Sequence, residues 1–417
     1  MNILILTREY KHEMLPTCGG TGTFNATLAK ELVKRGHNVY LFGISKTKIE
    51  FEDQGVKVKF EKNLFKRNHF INLARSISGK IRFLEKVHFY IHELEKKEIA
   101  KKLHQYINKN NLSIDIIETH DFEGVSLYLN DNIPYVIRCH GSYSVLGKYF
   151  GYKVEKGRLH CEKEAFKKAK NIISISKFSE KVNYELFGIT KFKLIYNGID
   201  TSLFKNDAKS DIIPKSIFYF GNTSVEKGAD VAIRSFLEIN KSNPETSLHF
   251  LGKKTAYKNE ILKIISDNNI TNKVHFYGIQ QTEKVIEILS KANTVIFPSK
   301  GENFSLALLE AMSLSKTIIC SDLDAYKEVV ENDCNGYIAQ TEKDFVEKIK
   351  FNFTHPNKAL EIGTKARKTI IDNFSIEKMI NETLDYYEVV IANHKKQNMN
   401  NDRDLLITLQ KKFIYNT

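Results

Sequence analysis

Two glutamates eight residues apart, Glu302 and Glu310, frame the stretch P-S-K-G-E-N-F-S-L-A-L-L-E-A-M at 298–312. An apolar run ends there at Pro298, and a helical periodicity begins after Ser305, which can serve as an N-cap. A loop entering a helix points unpaired backbone N–H groups and a positive helix end at one spot, which suits a phosphate. A carboxylate beside that spot suits sugar hydroxyls. The competing reading is an ordinary strand-to-helix turn with two surface glutamates. Two histidines, His120 and His140, each close an apolar run, at the edge where open α/β sheets place ligands. A lone histidine is usually structural; two at successive strand ends mark the edge, and His140-Gly141 is the better of them. Near the N-terminus, C-G-G-T-G-T (18–23) lets backbone approach a ligand closely or simply makes a tight turn. It lacks the G-x-G-x-x-G of dinucleotide binding.

The elements that must position these residues follow a regular alternation. Apolar runs at 2–7, 38–43, 113–120, 134–142, 171–177 and 193–200 read as strands, with a helix after the glycine loop and another at 156–170. The basic stretch up to Asn110 reads as helical. A polar segment then leads to a second set of runs at 216–222, 247–252, 273–278, 293–298 and 317–321, again alternating with helices. The expected organisation is a first Rossmann-like domain at 1–204, a linker at 205–215 and a second Rossmann-like domain at 216–376. A closing helix at 377–394 and a basic tail of low order at 395–417 follow.

Composition narrows the class. A chain of 417 residues, 42% hydrophobic and 27% charged, is long enough for two or three domains with sizeable cores. No run approaches a membrane span, and the first residues lack the n-region of a signal peptide. Five cysteines without a C-x-x-C pair suggest neither a disulfide framework nor a zinc site, so a cytoplasmic location is expected. The net charge of +13 concentrates at 62–109, where twelve Lys and Arg stand against four Glu, with Phe65, Phe70, Phe83, Phe89 and Tyr90 interleaved. Such a surface meets an anionic membrane or is merely a solvated helix pair. No nucleic-acid motif accompanies it, so no nucleic-acid partner is expected.

The pattern resembles the retaining glycosyltransferases of family 4, of bacterial type. It is carried by Pro298-Ser299, Glu302, Phe304 and Glu310-Ala311-Met312. In family order stand Gly19-Gly20-x-Gly22, R-G-H-N-V (35–39), His140-Gly141, N-G-I-D (197–200), G-x5-K-G (221–228) and Glu328. The resemblance spans most of the chain. It implies the GT-B fold: α/β, two Rossmann-like domains facing across a cleft, the C-terminal helix closing back toward the first.

It also implies a nucleotide-diphosphate sugar donor, a UDP-sugar, whose hexose passes to a cell-surface glycan or lipid-linked acceptor. Lys227 would pair with the diphosphate, with Gly20 and the backbone around Asn303, Phe304, Ser305 and Leu306 closing on it. Glu310 would take the ribose, Glu302 the transferred sugar, and His140 would stand near the reacting carbon. The catalytic set is then His140, Glu302 and Lys227. No metal or other cofactor is expected; D-L-D at 322–324 reads as a turn. Two positions depart from the family pattern. Asn222 stands where an arginine is usual, which removes one charge from the diphosphate clamp, and Asn303 replaces a glycine. Two alternatives remain. One is a nucleotide-sugar epimerase, for which Asp121 and Glu123 are the nearest carboxylate pair; the other is a non-catalytic basic binding protein. The enzyme would work in the cytoplasm, with the membrane's inner face as a peripheral partner of 62–109.

Overall fold

Near-continuous apolar strands are the mark of parallel sheets covered on both faces, and β1 (Asn2–Thr7) is buried from Ile3 through Thr7. The computed structural model describes residues 1–16, 18–63, 65, 69–205 and 211–414, with side chains left aside at 82 and 401–414. Residues 206–210 of the expected linker, and residues 64 and 66–68 of the basic stretch, lie outside the described residues. The chain forms two compact units. One comprises Met1–Ile175, Ser179–Ile195 and Ile380–Thr417, the other Ser176–Phe178 and Tyr196–Met379.

The first unit is built on eight strands in the order β3-β4-β2-β1-β5-β6-β7-β8. They are β1, β2 (Asn38–Ser45), β3 (Ile49–Asp53), β4 (Val56–Lys62), β5 (Ile116–His120), β6 (Tyr135–Cys139), β7 (Ile172–Ser174) and β8 (Lys193–Leu194). All neighbours are parallel except β3 and β4. Those two form a hairpin whose turn residues, Gln54 and Gly55, both have positive φ (50° and 86°), the handedness that a two-residue turn needs to follow the strand twist. Neither strand is anticipated above, although V-K-V-K-F-E-K (56–62) alternates at the strand period; glutamine is a poor signal for the left-handed turn that joins them. Helix α1 (Gly20–Lys34) buries Phe24, Leu28 and Leu32, one residue per turn. The basic stretch is helical only from α2 (His69–Lys80) and α3 (Glu85–Lys109) onward.

The second unit has six parallel strands in the order β11-β10-β9-β12-β13-β14. These are β9 (Ser216–Phe220), β10 (Ser247–Leu251), β11 (Val274–Gly278), β12 (Thr294–Phe297), β13 (Thr317–Ser321) and β14 (Tyr337–Ala339). Counted within the unit, that order is 3-2-1-4-5-6, the doubly wound arrangement that reverses direction between its first and fourth strands. Ligands bind at such a reversal, beyond the carboxyl ends of the two strands. Here these are β9 and β12, and they deliver the loops carrying Lys227 and Glu302.

The D-L-D segment is a turn that opens the short helix Asp324–Lys327, with Asp322 paired to Lys327. The last helix runs Ile376–Ile414. It therefore continues twenty residues past 394, through most of the tail expected to lack order. Its run of Lys, Gln and Asn has ordinary helix propensity, which a reading based on apolar content overlooks.

Candidate active site

In the second unit, two residues singled out from sequence meet directly. Lys227 Nζ donates to Glu302 Oε1 at 2.7 Å, in a pair that is two-thirds buried on the lysine side and more on the glutamate side. The same oxygen accepts from Ser299 Oγ at 3.0 Å and from Tyr326 OH at 3.4 Å. Backbone geometry sets this meeting. Gly228 has φ 74°, and a Cβ there would lie 1.9 Å from the Pro298 carbonyl oxygen, so only glycine lets the β9 loop lie against the end of β12. Lys300 N donates to Glu226 O at 2.9 Å, a second tie between the loops. Tyr219 OH, inside β9, reaches the carbonyls of Asn222 and Lys227 (2.5 and 3.1 Å) and fixes the loop from below.

Helix α10 (Leu306–Ser313) begins beyond Glu302. Ser305 caps it, its side chain accepting from Leu308 N at 3.3 Å. Leu309 N also bonds to Ser305 O, so the N–H groups of Leu306 and Ala307 are the first-turn donors left without an intrahelical partner. Phe304 is buried against Tyr196 and Phe374, so only its backbone can face a ligand. Glu310 lies in the middle of α10, half-buried.

Asn303 gives its carbonyl to Ser176 Oγ at 3.0 Å. Its side chain is 9% exposed, and neither amide atom has a hydrogen-bond partner. Asn222 is exposed, in the loop before Lys227. A further cation in these loops is Lys300, whose Nζ lies 3.3 Å from Asp230 in the first turn of α7 (Ala229–Asn240), a carboxylate that Arg234 also approaches to 3.3 Å. Glu328, noted only as part of the pattern, accepts from the backbone N–H groups of Lys177 and Phe178, both at 2.7 Å.

In the first unit, His140 follows β6 directly and packs edge-on against Phe24 at 4.5 Å between ring centres. Burial, and then Arg138 and His120, hold its pKa well below the usual histidine range, so the ring is neutral. The Asp121 carboxylate accepts from the backbone N–H of His140 (3.1 Å) and of Gly141 (3.0 Å), clamping that turn. Burial and the neighbouring Glu162 push Asp121 up to about 7. Glu123 binds Arg8, Lys96 and Arg158, which together hold it low despite its burial. Both carboxylates available to epimerase chemistry are thus committed to other groups.

Gly20 is the first residue of α1, and a Cβ there would touch nothing within 4 Å. The glycine that sterics demand is Gly22, where a Cβ would lie 2.5 Å from Cys18. Sequence reading missed Asp121 as the clamp on His140. An aspartate one residue past a strand, with its partner nineteen positions on, leaves no local signal.

Comparison with known proteins addresses the family and the fold. The family model for Glycosyltransferase Family 4 matches residues 18–203, and that for Glycosyl transferases group 1 matches residues 202–369. The chain is 23% identical over 420 residues to N-acetyl-alpha-D-glucosaminyl L-malate synthase of Bacillus anthracis, covering 90% of this chain and 95% of that protein. In fold it is similar to a sucrose-phosphate synthase from Thermosynechococcus elongatus, with TM-score 0.74 at 17% identity, over 94% of this chain and 100% of that one. It is similar too to HepE of Anabaena solved in complex with UDP and glucose, with TM-score 0.71 at 15% identity, over 93% and 100%. Two doubly wound α/β units with these likenesses are the GT-B architecture. The chain belongs to the GT-B glycosyltransferases of the family 4 type, and it is a transferase enzyme.

Proposed function

We propose that the enzyme moves a hexose from a UDP-sugar to a cell-surface glycan or lipid-linked acceptor, with retention at the anomeric carbon and without a metal ion. The observation that carries the reading is the Lys227–Glu302 pair, set at the strand-order reversal and ahead of the open first turn of α10. As the sugar C1–O bond breaks, the electron pair leaves with the diphosphate and C1 becomes oxocarbenium-like. Fixed positive groups on the diphosphate then supply the largest stabilisation. Lys227 fills that role, helped by the N–H groups of Leu306 and Ala307, while Glu302 takes a hydroxyl of the sugar and Glu310 the ribose. Lys300 is the candidate second cation in place of the absent arginine, released from Asp230 toward the diphosphate. The unpartnered amide of Asn303 would bond the transferred sugar, and the neutral ring of His140 would stand near C1. Uridine as the donor's nucleoside is supported by the UDP in the HepE complex.

The experiment is nucleotide release from a panel of nucleotide-sugars, with NMR of the transferred anomer in the first turnover products. Release that is insensitive to chelator and lost in Lys227→Ala is the expected result. An inverted product would overturn retention, and chelator-sensitive release would overturn metal independence.

Contact with the inner membrane face through 62–109 belongs to the same proposal. Along α2, Phe70, Leu73 and Ile77 share one face and are exposed, Phe70 to 84%. Ile81, Phe83, Val87 and Tyr90 extend the exposed apolar surface among lysines. No helix among the described residues is long and apolar enough to cross a membrane, so attachment would be peripheral. Co-sedimentation with anionic vesicles should succeed at low salt and weaken in Phe70→Ser/Phe83→Ser. Equal sedimentation with neutral vesicles would contradict it.

A further inference from the structure

Helix α3 carries H-F-Y-I-H, placing His88 and His92 one turn apart on the same face. Glu155, the residue before α5 (Lys156–Lys168), comes up to that face. One ligand atom from each of the three lies within 4.8 Å of the others. We propose that these residues form a site for a zinc-type divalent cation, one that ties α2, α3 and the start of α5 together.

The state of the two rings carries the inference. His88 and His92 are 2% and 1% exposed, and their ring centres are 4.8 Å apart. His88 Nδ1 lies 3.2 Å from the Arg75 carbonyl oxygen and 3.4 Å from Ser78 Oγ; in the tautomer that bonds the carbonyl, the proton is on Nδ1. Nε2 then presents a bare lone pair, and it has no hydrogen-bond partner. An imidazole whose second nitrogen donates to a backbone carbonyl is oriented as metal-binding histidines are. His92 Nε2 is 3.1 Å from Glu155 Oε1, and His92 Nδ1 is buried without a hydrogen-bond partner. Leaving such nitrogens dry costs free energy that a ligand would recover.

Both rings also sit in slots shaped by glycines. A Cβ on Gly157 would fall 2.1 Å from His92 Cδ2, and one on Gly79 would fall 3.1 Å from His88 Cε1. The chain has thereby kept side chains out of the space beside both imidazoles.

Two imidazoles and one carboxylate suit Zn²⁺, with water completing a tetrahedron. Donors at ~2.0–2.1 Å from a tetrahedral ion are about 3.4 Å from one another, so a spread of up to 4.8 Å must close by about 1.4 Å through side-chain rotation. Nearby cations oppose binding. Arg158 Nε lies 3.4 Å from Glu155 Oε2, and Arg75 supplies the carbonyl that orients His88. They temper affinity without occupying the donor atoms that face the centre. None of the three ligands belongs to the donor site, and no step of sugar transfer passes through them.

The test uses untagged full-length protein, stripped with chelator and titrated with Zn²⁺ against a chromophoric competitor, with Co²⁺ absorption as a probe of geometry. We expect one ion per chain, a tetrahedral-type Co²⁺ spectrum and a rise in melting temperature with saturating Zn²⁺. Glu155→Gln, at a partly exposed position, should fold normally, bind at least about tenfold more weakly and lose most of the thermal shift. His92→Gln should do the same. Unchanged affinity in both variants would place the ion elsewhere and overturn the site. So would wild-type binding no tighter than that of the double variant, which is the result if His92 and Glu155 form only an ion pair.

Discussion

Lys227 and Glu302 were assigned to different parts of a donor, yet without one they hold each other. The pair keeps a largely buried lysine aimed, and under the proposed reading it loosens when a diphosphate offers two more negative oxygens. Removing Lys227 should lower kcat/KM by about 10²–10³, as for loss of a preorganised charge partner. Glu302→Gln should cost less in a Lys227→Ala background than alone, with a coupling of about 1–3 kcal/mol in a double-mutant cycle. Additive losses would mean that the contact plays no part in turnover. At the same scale, His120 is buried neutral, its pKa lowered to about 3 by burial and by Arg8. The unfolded chain takes up that proton near 6.5 while the folded chain does not, so this contribution to stability is present above 6.5 and lost as pH falls toward 3. Asp121, raised to about 7, acts in the opposite direction between about 4 and 7. Between pH 6 and 5, urea unfolding of wild type should therefore lose about 1 kcal/mol more than His120→Gln does. Equal slopes would contradict a neutral buried His120.

At the scale of elements, the glycines separate into those that shape a loop and those that leave room. Gly228→Ala places a methyl group into the Pro298 carbonyl at an unfavourable φ. It should cost more than about 2 kcal/mol and displace Lys227, lowering activity along with melting temperature. Gly20→Ala meets open space. Its melting temperature should be unchanged, and a rise in donor KM would locate the phosphate at that loop; differential scanning fluorimetry and donor kinetics read both. Strands of the parallel cores were legible because burial on both faces writes continuous apolar runs, as at Asn2–Thr7 and Thr294–Phe297. The β12–α10 crossing was legible for a second reason, since a proline, a serine cap and a helical period coincide within a dozen residues. What escaped is marked weakly or not at all. β4 does alternate apolar and charged residues, but its hairpin turns on Gln54 in place of the usual Asn or Asp; β14 is only three residues long, and the Asp121 clamp joins residues nineteen apart. The zinc-type triad escaped because the cysteine count, the usual cue, says nothing about two histidines and a distant glutamate.

At the scale of the molecule, the first unit is completed by residues from the other end of the chain. Arg138, wholly buried in β6, holds Glu118 through two bonds of 2.9 and 3.0 Å and reaches Thr383 at 3.0 Å, while Tyr387 OH donates to Glu118. Arg138→Leu should strip a buried carboxylate of its countercharge and cost about 3–5 kcal/mol. Tyr387→Phe, which removes one donor, should cost about 1–2 kcal/mol, both by chemical denaturation. Similar small losses for the two would mean that Glu118 is well solvated without its arginine.

That arrangement also sets an order of events during synthesis. Glu118 and Tyr387 are 269 positions apart. At ~5–20 residues per second, the carboxylate leaves the ribosome on the order of ten to fifty seconds before its tyrosine exists. Through that interval the nascent first sheet carries an ion pair whose remaining partners are unmade, while the second unit is being translated. The last helix is therefore a lock that arrives after the rest of the machine. A chain interrupted near residue 379 would hold every residue proposed for the donor site and still lack the piece that finishes its first half.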